Sequence, residues 1–173
     1  LLLNEERDFA TWHTEITGFL PYMTNWTLTD AVSPACVKGG KAANLPKLER
    51  SCLNWMLDDR VYVQRLGVVV LMSLLGTEYF SPEHLRAVAA LAGSEEYYVR
   101  VAVAWYFAEA LARQERAALP WFALADSSDG TDSPGLPAVT LRMTITKAIE
   151  SRRISDGLKA ELRQIRATLP RRS

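Results

Sequence analysis

A proline-led pattern recurs in this chain at a spacing of 36 residues: Leu45-Pro46 is followed by Tyr62-Val63, and Ser81-Pro82 by Tyr98-Val99. Proline lacks the N–H that a helix interior needs and is accommodated only in the first turn, so each proline marks a helix start. Each Tyr-Val pair opens a second helix. A helix pair of this length cannot bury its apolar face alone and must stack on neighbours. The pattern therefore predicts an all-α fold, a HEAT-like helical-repeat superhelix or α-solenoid, as one domain over residues 1–173.

The rest of the chain extends the same reading. Phe9, Trp12, Ile16, Phe19 and Leu20 form one apolar stripe, which predicts a first helix from Asn4 or Asp8 to Leu20, closed by Pro21. A short, irregular helix is expected from about Asn25 to Cys36, interrupted near Ser33-Pro34, with Gly39-Gly40 as a linker. Helices follow over Leu45 to Leu57 and Val61 to Leu75, the second apolar almost all round and so central to the stack. Ser81 is a helix cap before Leu85 to Leu91. Ser94-Glu95-Glu96 caps a helix running to about Arg113, and Arg116 to Ala125 is expected to form another. Asp126 to Gly135 reads as a polar connector, without the glutamate of a calcium loop. Val139 to Arg152 and Ser155 to Thr168 supply the last helices, and no segment reads as a strand.

The formal net charge is zero, but it is unevenly spread. Leu1 to Leu136 holds 11 Lys/Arg against 17 Asp/Glu, and Pro137 to Ser173 holds 9 against 3. The basic segment carries Arg142, Lys147, Arg152, Arg153, Lys159, Arg163 and Arg166, which suits a polyanion such as a phosphate backbone. A solvated, salt-laced terminal helix explains the same charges, and both readings stay open on charge alone. The opening Leu1-Leu2-Leu3-Asn4-Glu5-Glu6 turns acidic too early for a secretory signal, and no apolar run approaches the roughly 20 residues of a membrane span. A cytoplasmic protein without a membrane partner is expected. Cys36 and Cys52 lack metal or redox spacing and read as small core residues. His13 and His84 lack a Ser or Cys at a triad-like offset and read as surface or capping residues.

A few residues exceed what a plain scaffold needs. Arg65 lies in the greasy run Val61 to Val70, and a buried guanidinium without a partner is prohibitive, so it is expected to point into the groove. Trp105 occupies the equivalent helix one repeat later, with Glu109 a turn beyond on the same face. A lone tryptophan in an apolar helix is ordinarily core. Trp26 and Asp30, however, are four residues apart in a short helix, so that an indole and a carboxylate share one face.

The ordered blocks Phe19 to Asp30, Tyr62 to Val69, Glu95 to Trp105 and Lys147 to Ile154 resemble the AlkD-type DNA alkylation repair glycosylases, with the likeness extending from about Phe9 to Arg166. The resemblance implies HEAT-like helix pairs with DNA in a concave groove, and cleavage of the bond between deoxyribose and a cationic alkylated purine to leave an abasic site. The family's Trp-x-x-x-Asp pair falls on Trp26 and Asp30, its second tryptophan on Trp105, and its phosphate-contacting arginine on Arg65. Members resemble one another in leaving the damaged base stacked, unlike glycosylases that flip it out. The chain starts inside what looks like the family's first conserved helix, so the helix pairs that precede it in the family are expected to be absent or truncated.

These residue types suit that chemistry. A purine alkylated at N3 or N7 already carries positive charge and leaves as a neutral base, so only the sugar side needs help. A carboxylate close to the sugar stabilises the oxocarbenium-like state, as in glycoside hydrolysis. Asp30 is the candidate for that role and for orienting water. Trp26 and Trp105 offer π faces to a cationic nucleotide, each interaction contributing roughly 0.5–2 kcal/mol. Arg65, Arg142, Lys147 and Arg152 are the candidate phosphate contacts. The chemistry calls for no metal and no cofactor. The expected partner is double-stranded DNA containing alkylated bases, bound by a monomer; a HEAT-repeat module that binds DNA without excision is the alternative.

Overall fold

The computed structural model describes residues 2–37, 42–125 and 134–170. The expected Gly39-Gly40 linker and nearly all of the acidic connector, at 126–133, lie outside the described residues. The described chain is helical, gathered in two compact units, Leu1–Phe80 and Ser81–Ser173.

In the first unit, α1 (Phe9–Phe19) begins where Asp8 accepts a hydrogen bond from the Thr11 amide at 2.8 Å. That bond, together with one from the Thr11 hydroxyl, holds the Asp8 carboxyl below its ordinary pKa. Trp12 and Ile16 are fully buried on the inward stripe, and His13 stacks between Phe9 and Trp55 rather than standing on the surface. A 3-10 turn over Leu20–Tyr22 takes in Pro21 and leads to α2 (Trp26–Asp30). This helix is much shorter than the expected Asn25 to Cys36. Beyond Ala31 the chain leaves the helix, because the residue before Pro34 is disfavoured in helical conformation, and a 3-10 turn follows at Ala35–Val37.

The pair α3 (Leu45–Met56) and α4 (Val61–Leu71) packs face to face. Gly67 marks the contact: a Cβ built there would lie 2.7 Å from the Cys52 carbonyl oxygen and 2.9 Å from the Met56 amide nitrogen. No larger residue lets the two backbones come so close. The turn joining them is braced by Asp58, which accepts from the Arg60 amide, Nε and Nη2 at 2.9, 2.8 and 2.7 Å. The side-chain bonds from Arg60 hold the Asp58 carboxyl down at about 2. Cys36 and Cys52 are buried as expected, and burial pushes the Cys52 thiol well above its ordinary pKa.

The second unit opens with α5 (Pro82–Ala89). Ser81 Oγ accepts from the Glu83 amide, while His84 Nδ1 accepts from the Ser81 amide at 3.3 Å, so His84 caps from a buried position. α6 (Tyr97–Arg113) packs along α8 (Ala138–Glu150), and α9 (Asp156–Thr168) packs on α8 with Ser155 as its cap. Both copies of the 36-residue pattern thus fall on helix pairs: Pro46 and Pro82 lie in the first turns of α3 and α5, and Tyr62 and Tyr98 in those of α4 and α6. The expected helix over Arg116 to Ala125 is cut to α7 (Glu115–Ala118) and a 3-10 turn at Leu119–Trp121, because Pro120 cannot continue an α-helix. Leu124 instead forms an isolated parallel bridge with Leu136, where Gly135 crosses so close that a Cβ would meet Ala125 at 2.8 Å.

Candidate functional site

The first unit builds its site on α2. Asn25 caps that helix, its Oδ1 accepting from the Leu28 amide at 3.2 Å, which fixes a five-residue helix too short to persist by itself. Packing of α2 on α4 and an outside tie complete the support. The tie is Asn4: its Nδ2 donates to the Ala31 carbonyl and its Oδ1 accepts from the Ser33 amide, both at 2.7 Å. One side chain from the chain start thereby clamps the exit of the helix that carries Trp26 and Asp30.

Arg65 differs from the expected outward-facing guanidinium. It is only 3% exposed, and from α4 it grips Asp30 in a two-pronged pair, Nε to Oδ1 at 3.0 Å and Nη2 to Oδ2 at 2.8 Å. The physical reason is the one that made an unpaired burial prohibitive: a desolvated guanidinium requires a carboxylate, and α2 delivers one. Thr29, fully buried, accepts from Arg65 Nε at 3.2 Å. Its single hydroxyl proton has two acceptors in reach, the Trp26 carbonyl at 2.9 Å and Asp30 Oδ1 at 3.1 Å. The carboxylate is therefore locked in orientation, yet its side chain remains 21% exposed. One turn earlier, Trp26 is 49% exposed, which for an indole on a packed helix leaves a broad apolar face open to solvent.

The second unit holds a separate cleft of about 350 Å³ between α6 and α8, lined by Trp105, Glu109, Lys147, Ser151, Arg152 and Arg153 among others. Trp105 is half-buried here, unlike its fully buried neighbours Ala104 and Tyr106. Glu109, a turn further along α6, pairs with Arg153 in a very short contact and with Arg113 at 3.6 Å. Trp105, Lys147 and Arg152, singled out in the sequence, thus share one cleft. Arg142 does not belong to it. It faces the opposite side of α8, donating to the Leu169 and Pro170 carbonyls at 3.2 and 2.8 Å.

The roles of Thr29 and Asn4, and the pairing of Glu109 with Arg153, were not legible from the sequence. Thr29 sits beside Asp30 but looks like any small helical residue, and Asn4 acts across 27 and 29 residues of chain. Among the described residues no group of three His, Cys, Asp or Glu side chains could hold a metal ion, and no helix is long and apolar enough to cross a membrane.

The family model described as DNA alkylation repair enzyme matches residues 1–146. No curated protein and no solved structure matches the chain.

Proposed function

The chain belongs to the DNA alkylation repair enzyme family, and from that membership we propose that it is a DNA glycosylase, hydrolysing the N-glycosidic bond of cationic N3- or N7-alkylated purines in duplex DNA. The observation that carries this reading is the oriented, partly exposed Asp30 carboxylate one helical turn from a half-exposed indole. As the bond breaks, its electron pair moves to the purine nitrogen and neutralises the cationic ring, which departs without a general acid. Positive charge grows on deoxyribose, and Asp30 offers a fixed negative charge where it develops. Water then adds at the anomeric carbon and gives up a proton, leaving the abasic sugar.

Preorganisation decides how much the carboxylate contributes. A free aspartate would turn toward water, whereas one held on both oxygens by Arg65 does not need to reorganise during the reaction. In this reading Arg65 acts through Asp30 as a positioning residue, in place of the phosphate contact suggested by the resemblance. Trp26 presents its π face to the lesion or its sugar edge. In the second unit, Trp105 contributes a further aromatic face, and Lys147 and Arg152 contact backbone phosphates. The helix pairs are read as HEAT-like repeats.

The test is release of 7-methylguanine or 3-methyladenine from alkylated duplex DNA. Wild type is expected to release base and Asp30→Asn to bind the duplex without release. Binding without release by the wild type would instead establish a non-catalytic DNA-binding module.

A further inference from the structure

A second basic cleft lies on the face of α8 away from Trp105. It has a volume of about 450 Å³ and is lined by Arg142, Ile149, Arg163, Arg166, Ala167 and Leu169. Three arginines thus line one cleft, with no carboxylate among its described lining residues. Arg142 is held by two backbone carbonyls, and Arg166 donates to Thr146 Oγ1 at 3.3 Å, contacts that fix direction without neutralising charge. Arg163, exposed on α9, lies three residues before Arg166 and shares its side of the helix.

Like charges that line one cleft repel, and an anion seated among them relieves that repulsion. Guanidinium groups are suited to the oxygens of a phosphate, which they meet in a planar fork, whereas lysines would offer only point charges. The apolar side of the cleft, formed by Ile149, Ala167 and Leu169, is suited to the carbon face of a sugar. Arg163 and Arg166, on α9, lie beyond the residues matched by the family model, whereas Arg142 lies within them.

We propose that the Arg142–Arg163–Arg166 cleft is a phosphodiester-binding site, which anchors DNA backbone at a place distinct from the Trp105 cleft and takes no part in bond cleavage. The inference rests on DNA being the partner and not on the excision chemistry.

The test compares binding of an undamaged fluorescent duplex across a salt series. Three proteins are needed: wild type, Arg163→Ala/Arg166→Ala, and a charge-matched control, Arg86→Ala/Arg116→Ala, whose side chains are exposed elsewhere in the second unit. Both arginines replaced in the cleft are exposed, so α9 keeps its packing on α8 through Leu158 and Leu162. The cleft variant is expected to bind roughly tenfold more weakly at low salt, with a salt slope shallower by about 0.9 for each phosphate released, while the control stays close to wild type. Single-turnover excision at saturating DNA should be unchanged in the cleft variant.

Equal affinity and slope in wild type and cleft variant would overturn the anchor and leave the glycosylase reading standing. A wild type that binds through this cleft but releases no base would sink the glycosylase reading and leave the anchor. A control that weakens binding as much as the cleft variant would reduce the effect to general charge, and a wild type without salt-dependent binding would overturn the anchor and the DNA partner together.

Discussion

Replacing Asp30 separates two consequences that a loss of activity would merge. The Arg65 side chain is 4% exposed and gives two of its donors to the Asp30 oxygens, with its Nε also reaching Thr29 Oγ1. Asp30→Ala therefore removes the carboxylate that pairs with a buried cation. Breaking a buried pair from one side costs about 3–5 kcal/mol, and because Asp30 is 21% exposed and water reaches the vacated space, a loss near the lower end, about 3 kcal/mol, is expected. Asp30→Asn keeps an oxygen facing Arg65 and removes the charge, so its loss should be smaller, about 1–2 kcal/mol. The paired replacement Asp30→Leu/Arg65→Met removes both charges and should recover to within about 1 kcal/mol of wild type. Urea unfolding followed by helical circular dichroism measures all three, provided that the denaturant slope is common to the set. If Asp30→Ala came within about 0.5 kcal/mol of wild type, the pair would behave as an exposed surface bridge, and the claim that Arg65 preorganises the carboxylate would be lost.

The remaining expectations concern the supports of the same site. Gly67→Ala forces a methyl into the Cys52 carbonyl and should cost about 1–3 kcal/mol by separating α3 from α4; an unchanged urea midpoint would contradict the close approach. Trp26→Ala should leave the unfolding midpoint almost unmoved while slowing base release by roughly 2- to 30-fold, whereas Trp12→Ala, at a fully buried position, should cost about 3–5 kcal/mol. The Asp58 carboxyl should titrate near 2 in a carboxyl-carbon NMR series. A depressed folded value means that its stabilising contribution is complete above the unfolded pKa of about 3.9 and is lost as pH falls toward 2; Arg60→Ala should return the titration to the ordinary range.

Periodicity and punctuation determined much of this chain without any coordinates. Prolines cannot sit inside helices, so Pro46, Pro82 and the Tyr-Val pairs placed the starts of four helices to within a residue or two, although the helix expected to reach Leu75 ends at Leu71 and continues as a 3-10 turn. The same logic, applied fully at Pro120, would have shortened the helix expected at Arg116 to Ala125. Trp26 and Asp30 shared a face by spacing alone, because i and i+4 meet on any α-helix. What lay across the chain was not legible. The sequence showed that Arg65 required a solution to its burial, but a groove and a carboxylate satisfy that requirement equally well on paper. Only packing of α2 on α4 brought Asp30 within 2.8 Å and chose between them. Arg142 parted from Lys147 and Arg152 for a similar reason: charge composition assigned all three to one basic segment, whereas the helical rotation of α8 and its contact with α9 sent them to opposite faces. Local rules act over one turn of backbone, while desolvation and ion pairing act over whatever distance the fold closes.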